Sequence, residues 1–303
     1  MGILYLTFCI LLYSMHASSF VLTSFKRSVF NRRICVGSSF STLQNSTICG
    51  GQYTIVTPDD ANIDAQPEFL PEERSFVNSV EHLKSRQDIF LCGRIALRRS
   101  IKALKLEDEF AQKCLKTPIL RNTLGAPILP SGVSGSISHK NKYAIGIVRP
   151  NAHEPLGHWS DSLSEVKKLN KTIEYGHIGI DLEKCTSKAY QSLRERLLTE
   201  NEQYRMEVDK HSNPLSEEED VMLRFSFKEA IFKALNPTLK RYVEFGEMEV
   251  YPQPNGQALL NFCLKSGELF EYEACYKKWS PEPGSDYWIT CVYLYHMHKL
   301  RCS

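Results

Sequence analysis

The sequence predicts an α+β fold, and three observations predict it. Helix-period and strand-period runs mix along the chain without the strict strand–helix alternation of a doubly wound sheet. A length of 303 residues allows one large domain or two small ones with a sizeable core. Hydrophobic residues make up 42% and charged residues 24%, near the averages of globular proteins, which excludes collagen, coiled coil and wholesale disorder. A formal charge of +2 argues against a dedicated nucleic-acid binder. No internal repeat of solenoid period occurs.

In chain order, the first fifty residues read as an address. Residues 1–58 hold no Asp or Glu, whereas Lys26, Arg27, Arg32 and Arg33 are basic. The apolar run at 3–13 has the length of a signal-peptide core and is too short to cross a bilayer comfortably. No Lys or Arg precedes it; the small residues Ala17, Ser18 and Ser19 that follow suit a cleavage site. A Ser-, Arg- and Phe-rich stretch then runs to about Cys49, as in transit peptides. The expectation is a signal peptide at 1–19 and a transit-like presequence at 20–50. The junction Ala17-Ser18-Ser19-Phe20 resembles the bipartite leaders of algae with complex plastids, which makes a plastid the expected destination. The alternatives are the secretory pathway, with a basic spacer after an ordinary signal, or a mitochondrion. Loss of 1–50 removes four basic residues and no acidic one, which turns the charge from +2 to −2. Seven cysteines then remain, an odd number with no CxxC pair, which offers neither a zinc ribbon nor a thioredoxin-like motif and fits a reducing compartment.

Residues 51–80, with Pro58, Pro67 and Pro71 among acidic side chains, read as an extended lead-in. Helical periodicity starts near Arg74, runs through Phe76, Val80 and Leu83, and resumes after a break at Phe90, Leu91, Ile95, Leu97 and Ile101. Residues 119–130 carry two prolines and a glycine and read as loop with short strand. The continuous apolar run 143–148 predicts a buried strand, 150–177 an exposed excursion, and 178–182 a second buried strand. Helical patterns follow at 193–204 and 223–235, with Pro237 closing the second. The tail reads as strands at 247–251, 257–264, 270–276 and 288–294.

Four stretches carry chemistry. In Ile178-Gly179-Ile180-Asp181-Leu182-Glu183, strand alternation puts Asp181 and Glu183 on one face while Ile180 and Leu182 enter the core. Paired carboxylates need a cation or a basic partner, and oxygen-only ligands suit Mg²⁺; the plain alternative is a solvated polar face. In Phe225-Ser226-Phe227-Lys228-Glu229-Ala230-Ile231-Phe232-Lys233-Ala234-Leu235, Glu229 and Lys233 lie four apart on one helix face with Lys228 beside them. Taken alone this is an ordinary helix pair. Beside the strand acids, Glu229 would complete a metal site and the lysines would neutralise a diphosphate. In Leu129-Pro130-Ser131-Gly132-Val133-Ser134-Gly135-Ser136-Ile137-Ser138-His139, Gly132 and Gly135 permit close backbone approach and Ser136, Ser138 and His139 offer phosphate hydrogen bonds, or the run is only a turn. Arg94 and Arg98, four apart on one helix face, would clamp an anion or stay solvated.

The order and spacing of these motifs, over residues 85–260, resemble the 4′-phosphopantetheinyl transferases, most closely the enterobactin-synthase type. The resemblance implies two similar α+β lobes related by a pseudo-twofold, with coenzyme A in the cleft between them. It places an N-terminal lobe at 51–150, an inserted loop at 151–177 and a C-terminal lobe with the metal site at 178–303. It implies Mg²⁺ on Asp181, Glu183 and Glu229, and the coenzyme A nucleotide and phosphates near Arg94, Arg98, Ser138 and His139. Lys228 and Lys233 match lysines near the diphosphate. The forty positions from His139 to Gly179 exceed those of compact relatives, and the extra segment is expected to be a surface loop.

The implied reaction moves the phosphopantetheine arm of coenzyme A to a serine of an apo acyl carrier protein and releases 3′,5′-ADP. Such phosphoryl transfer depends mainly on positioning and charge neutralisation. Glu229 is the candidate base, with a metal-bound water as the alternative, and Lys233 holds the diphosphate. Lys240 and Arg241 are candidates for docking an acidic carrier helix. The chain is expected to act as a monomer, without nucleic acid and without a membrane in its mature form. Two rivals stand beside this reading. One is a non-catalytic module that binds coenzyme A or a carrier, and the other is a metal-dependent phosphohydrolase.

Overall fold

The computed structural model describes residues 46–61, 70–80, 83–104, 108–151, 173–211 and 213–297. The signal peptide expected at 1–19 and most of the presequence at 20–50 lie outside the described residues. The last part of that stretch is strand. Ser46–Ile48 forms β1 and pairs with β2, Gly51–Val56, across the two-residue turn Cys49-Gly50. Both turn residues have positive φ, 45° and 67°, the handedness that matches strand twist in a tight hairpin. The expected lead-in at 51–80 is therefore β2 followed by two helices, α1 at Pro58–Ala61 and α2 at Pro71–Val80.

Two lobes share one plan, a long helix across an antiparallel sheet. In the first lobe, β1, β2, β4 (Tyr143–Pro150) and β3 (Val133–Lys140) form the sheet in that order. Helix α3, Lys84–Ala103, lies across one face, and α4, Asp108–Lys116, follows it. Alternation along β4 explains why it reads as an unbroken apolar run. Ala144 and Val148 face α3, while Tyr143, Ile145 and Ile147 face the second lobe.

In the second lobe β5 (Ile173–Lys184), β9 (Ser285–Met297) and β8 (Leu269–Glu282) form a three-stranded sheet. Helix α7, Glu217–Leu239, covers its outer face through Phe227, Ala230, Ile231 and Ala234. The inner face, with Ile178, Ile180, Leu182, Ile289 and Tyr293, shares a core with Tyr53, Ile145 and Ile147 of the first sheet. The layers therefore run helix, sheet, sheet, helix, and the expected α+β fold with two similar lobes is what forms.

Element boundaries differ from the sequence reading for local reasons. Strand β5 begins at Ile173, so the last residues of the expected 151–177 excursion belong to the sheet; residues 152–172 lie outside the described part. The single helix expected at 193–204 is two, α5 (Tyr190–Leu197) and α6 (Glu200–Asp209). Leu198 turns extended, and Thr199 starts a new helix through a reciprocal capping box with Glu202. Helix α7 starts earlier than expected because Ser216 and Glu219 make a second capping box and four acids fill its first turn. Pro237 lies inside its last turn, and the chain leaves through Lys240 in a left-handed conformation. Strands β8 and β9 run well beyond the expected segments. Pro281 is tolerated because β8 is an edge strand. A separate hairpin, β6 (Met248–Pro252) with β7 (Ala258–Phe262), precedes them.

Candidate active site at the seam between two lobes

The site begins with the alternation of β5. Its core face carries Ile178, Ile180 and Leu182, which leaves Gly179, Asp181 and Glu183 on the side of α7. Gly179 permits the close approach of that helix: a Cβ there would lie 1.9 Å from the carbonyl oxygen of Ala230. On α7, Ser226, Glu229 and Lys233 are spaced three and four apart and so share one face. Strand β3 closes the third side. Its alternate serines sew the lobes together, because the N–H groups of Ile178 and Ile180 donate to Ser134 Oγ and Ser136 Oγ at 3.1 and 3.2 Å. Ser138, next in that row, reaches Asp181.

Asp181 and Glu183 are heavily partnered. Asp181 Oδ1 accepts from Ser138 Oγ at 2.7 Å and from Lys233 Nζ at 2.8 Å, and Oδ2 accepts from Ser226 Oγ at 2.8 Å. Lys233 Nζ also donates to the Ile180 carbonyl at 3.0 Å. Glu183 holds Lys140 Nζ at 2.7 and 2.8 Å on its two oxygens, and burial still raises its carboxyl above the usual range. Burial, reinforced by the charges of Asp181 and Glu183 and opposed by Lys233 and Lys140, pushes Glu229 up to about 7. Glu229 therefore shares one electrostatic environment with the two strand acids. His139 lies beside this cluster, where desolvation, and after it the charge of Lys233, lowers its pKa.

The donor set, three carboxylates, suits a hard divalent cation in kind. Asp181 and Glu183 come from one strand, Glu229 feels the charge of both, and burial holds the carboxyls of Glu183 and Glu229 above their normal range. As arranged, Lys233 and Lys140 neutralise the acids, and among the described residues no three ligating groups are disposed as a finished metal site. A cation would compete with those two ammonium groups.

Other expected site residues go elsewhere. Lys228 does not join the cluster. Its ammonium is fully buried and donates to Glu202 Oε2 at 2.7 Å and to the carbonyls of Leu197 and Phe245 at 2.7 and 3.0 Å. One residue of helix turns it about 100° away from the face of Glu229. Arg98 is likewise a structural ion pair, buried against Glu73 and close to the Thr117 carbonyl. Arg94 lies nearer the site, since its charge is felt at His139, yet it stacks 3.4 Å over Phe90 and donates to the Ile119 carbonyl. Burial lowers its pKa to about 9. Arg241 is bound to Glu247 at 2.7 and 2.9 Å, and Lys240 caps α7 from an exposed position. The site also holds Lys140, Ser226 and Thr290, which no sequence motif singles out as functional. Lys140 directly follows His139 and Ser226 lies within the Glu229 motif, so proximity to motifs was their only signal; Thr290 had none.

Residues 177–292 match the family model described as the 4′-phosphopantetheinyl transferase superfamily, and residues 72–149 match that of the 4′-phosphopantetheinyl transferase N-terminal domain. No curated protein matches the chain.

Proposed function

Since the chain belongs to the 4′-phosphopantetheinyl transferase superfamily, we propose that it moves the phosphopantetheine arm of coenzyme A to a serine of an apo acyl carrier protein and releases 3′,5′-ADP. The observation that carries this reading is the meeting of Asp181 and Glu183 from β5 with Glu229 and Lys233 from α7 at the seam between the lobes.

In the transfer, the serine oxygen bonds to the phosphorus that bears the pantetheine arm. The bond from that phosphorus to the oxygen of the ADP side breaks, and the leaving group keeps the electron pair. The serine proton passes to Glu229, the carboxylate that α7 carries one helical turn from Lys233. Lys233 has three donors, two of them engaged with Asp181 and the Ile180 carbonyl, which leaves one for a diphosphate oxygen. His139 would donate a hydrogen bond to a phosphate oxygen. Asp181, Glu183 and Glu229 would hold Mg²⁺, which when bound supplies positive charge beside the diphosphate.

The test is carrier loading. Purified protein with Mg²⁺, coenzyme A and an apo carrier should raise the intact mass of the carrier by the phosphopantetheine arm. A folded protein that leaves the carrier unmodified would reject the proposal, and release of phosphopantetheine without any acceptor would favour a hydrolase. The acid-free, Ser- and Arg-rich first fifty residues support a plastid destination and hence the acyl carrier protein of fatty-acid synthesis as acceptor. Residues 1–60 fused to a fluorescent reporter should direct it to the plastid; fluorescence confined to the secretory route would contradict this.

A further inference from the structure

Two hydroxyls behind Asp181 have no part in the reaction just described. Ser226 on α7 and Thr290 on β9 are both fully buried. Ser226 Oγ stands 2.8 Å from Asp181 Oδ2 and 2.9 Å from Thr290 Oγ1. Thr290 is also the cross-strand partner of Asp181 in the β5–β9 pairing, so strand register itself sets it there. A carboxylate only accepts, and each hydroxyl has one proton to give. Ser226 therefore donates to Asp181, and Thr290 donates to Ser226. On the other oxygen, Ser138 and Lys233 occupy both lone pairs of Oδ1. One lone pair of Oδ2 is left.

We infer that the relay Thr290–Ser226 is a positioning device for a divalent cation, fixing the plane of the Asp181 carboxylate and leaving Oδ2 as its available oxygen. The inference rests on the reading of Asp181 as a cation ligand. Its physical basis is that a buried hydroxyl needs a partner, and apolar residues of like size would fill both positions without one. Two hydroxyls in series behind an acid orient it, as groups behind metal ligands do elsewhere.

The test uses purified protein without coenzyme A, titrated with Mn²⁺ while free Mn²⁺ is followed by electron paramagnetic resonance. Ser226→Ala should weaken Mn²⁺ binding by about tenfold or more, and Thr290→Val should weaken it in the same direction by a smaller factor. Ser226→Thr and Thr290→Ser keep their hydroxyls and should restore most of the affinity. In carrier loading, Ser226→Ala should raise the Mg²⁺ concentration for half-maximal rate while the KM for coenzyme A stays put. Wild-type Mn²⁺ affinity in folded Ser226→Ala and Thr290→Val would overturn the positioning role and leave phosphopantetheine transfer standing. A wild-type protein that loads carrier yet binds no Mn²⁺ would overturn this inference together with the ligand assignment. Normal Mn²⁺ binding and relay effects without carrier loading would sink the transfer reading alone. If Ser226→Ala does not fold, the Thr290→Val and Thr290→Ser pair decides.

Discussion

Lys228 and Lys233 stand five apart in one motif and have different physics. Lys228 and Glu202 are both fully buried, so Lys228→Ala leaves a carboxylate without its counter-charge. Removing one partner of such a pair costs about 3–5 kcal/mol, and a urea unfolding curve should show a loss of that order. Lys233 is part-exposed, and its partner Asp181 keeps two serine donors without it. Lys233→Ala should lower the rate of carrier loading with little change in the unfolding midpoint. Equal stability losses in the two variants would contradict this division. The sequence could not make the distinction, because spacing assigns a helix face but does not say which face meets the cleft.

Gly179 decides whether the site exists as a unit. With a Cβ placed 1.9 Å from the Ala230 carbonyl, Gly179→Ala must push α7 off β5. The stability cost should reach or exceed the upper end of the roughly 1–3 kcal/mol typical of overpacking. Because Glu229 and Lys233 ride on the displaced helix, loading activity should fall further than stability alone explains. The turn after α7 offers a pH test. Burial opposes ionisation of Glu247, yet the Arg241 guanidinium and the N–H groups of Lys265 and Glu244 outweigh it and hold the carboxyl at about 2, against 4.5 when unfolded. A depressed folded pKa gives stability that is complete above 4.5 and is lost as pH falls towards 2. Glu247→Gln should therefore flatten the dependence of the urea midpoint on pH within that window. An unchanged slope would show that Arg241 does not hold this carboxylate.

At the scale of the whole molecule, the two sheets share one core. Ile145, Ile147 and Tyr53 from the first lobe pack with Ile178, Ile180, Ile289 and Tyr293 from the second. Arg149 of β4 fastens the two sheets, bonded to both oxygens of Glu273 on β8 at 3.1 Å and stacked 3.7 Å over Tyr293 on β9. Neither lobe can bury its inner face alone, so calorimetry should record one cooperative unfolding transition. Two separated transitions would show that the lobes are independent domains. The seam that makes the fold cooperative also carries the acidic cluster, and strain at one should be felt at the other.

Local pattern alone determined much of this protein. The α+β class, the buried strand at 143–148, the strand that carries Asp181 and Glu183, and the helix that carries Glu229 and Lys233 all follow from periodicity, which any stretch of chain reveals without its neighbours. The ordered motifs sufficed to point to the family. Tertiary structure decided which side chains meet. It withdrew Lys228 and Arg98 into buried ion pairs and set Thr290 behind Asp181 through strand register. It also made Lys140 and Lys233 the counter-charges of the acids. Those outcomes depend on contacts between residues tens of positions apart, and such distances are fixed by the packing of α7 and β3 against β5, not by the order of residues along the chain.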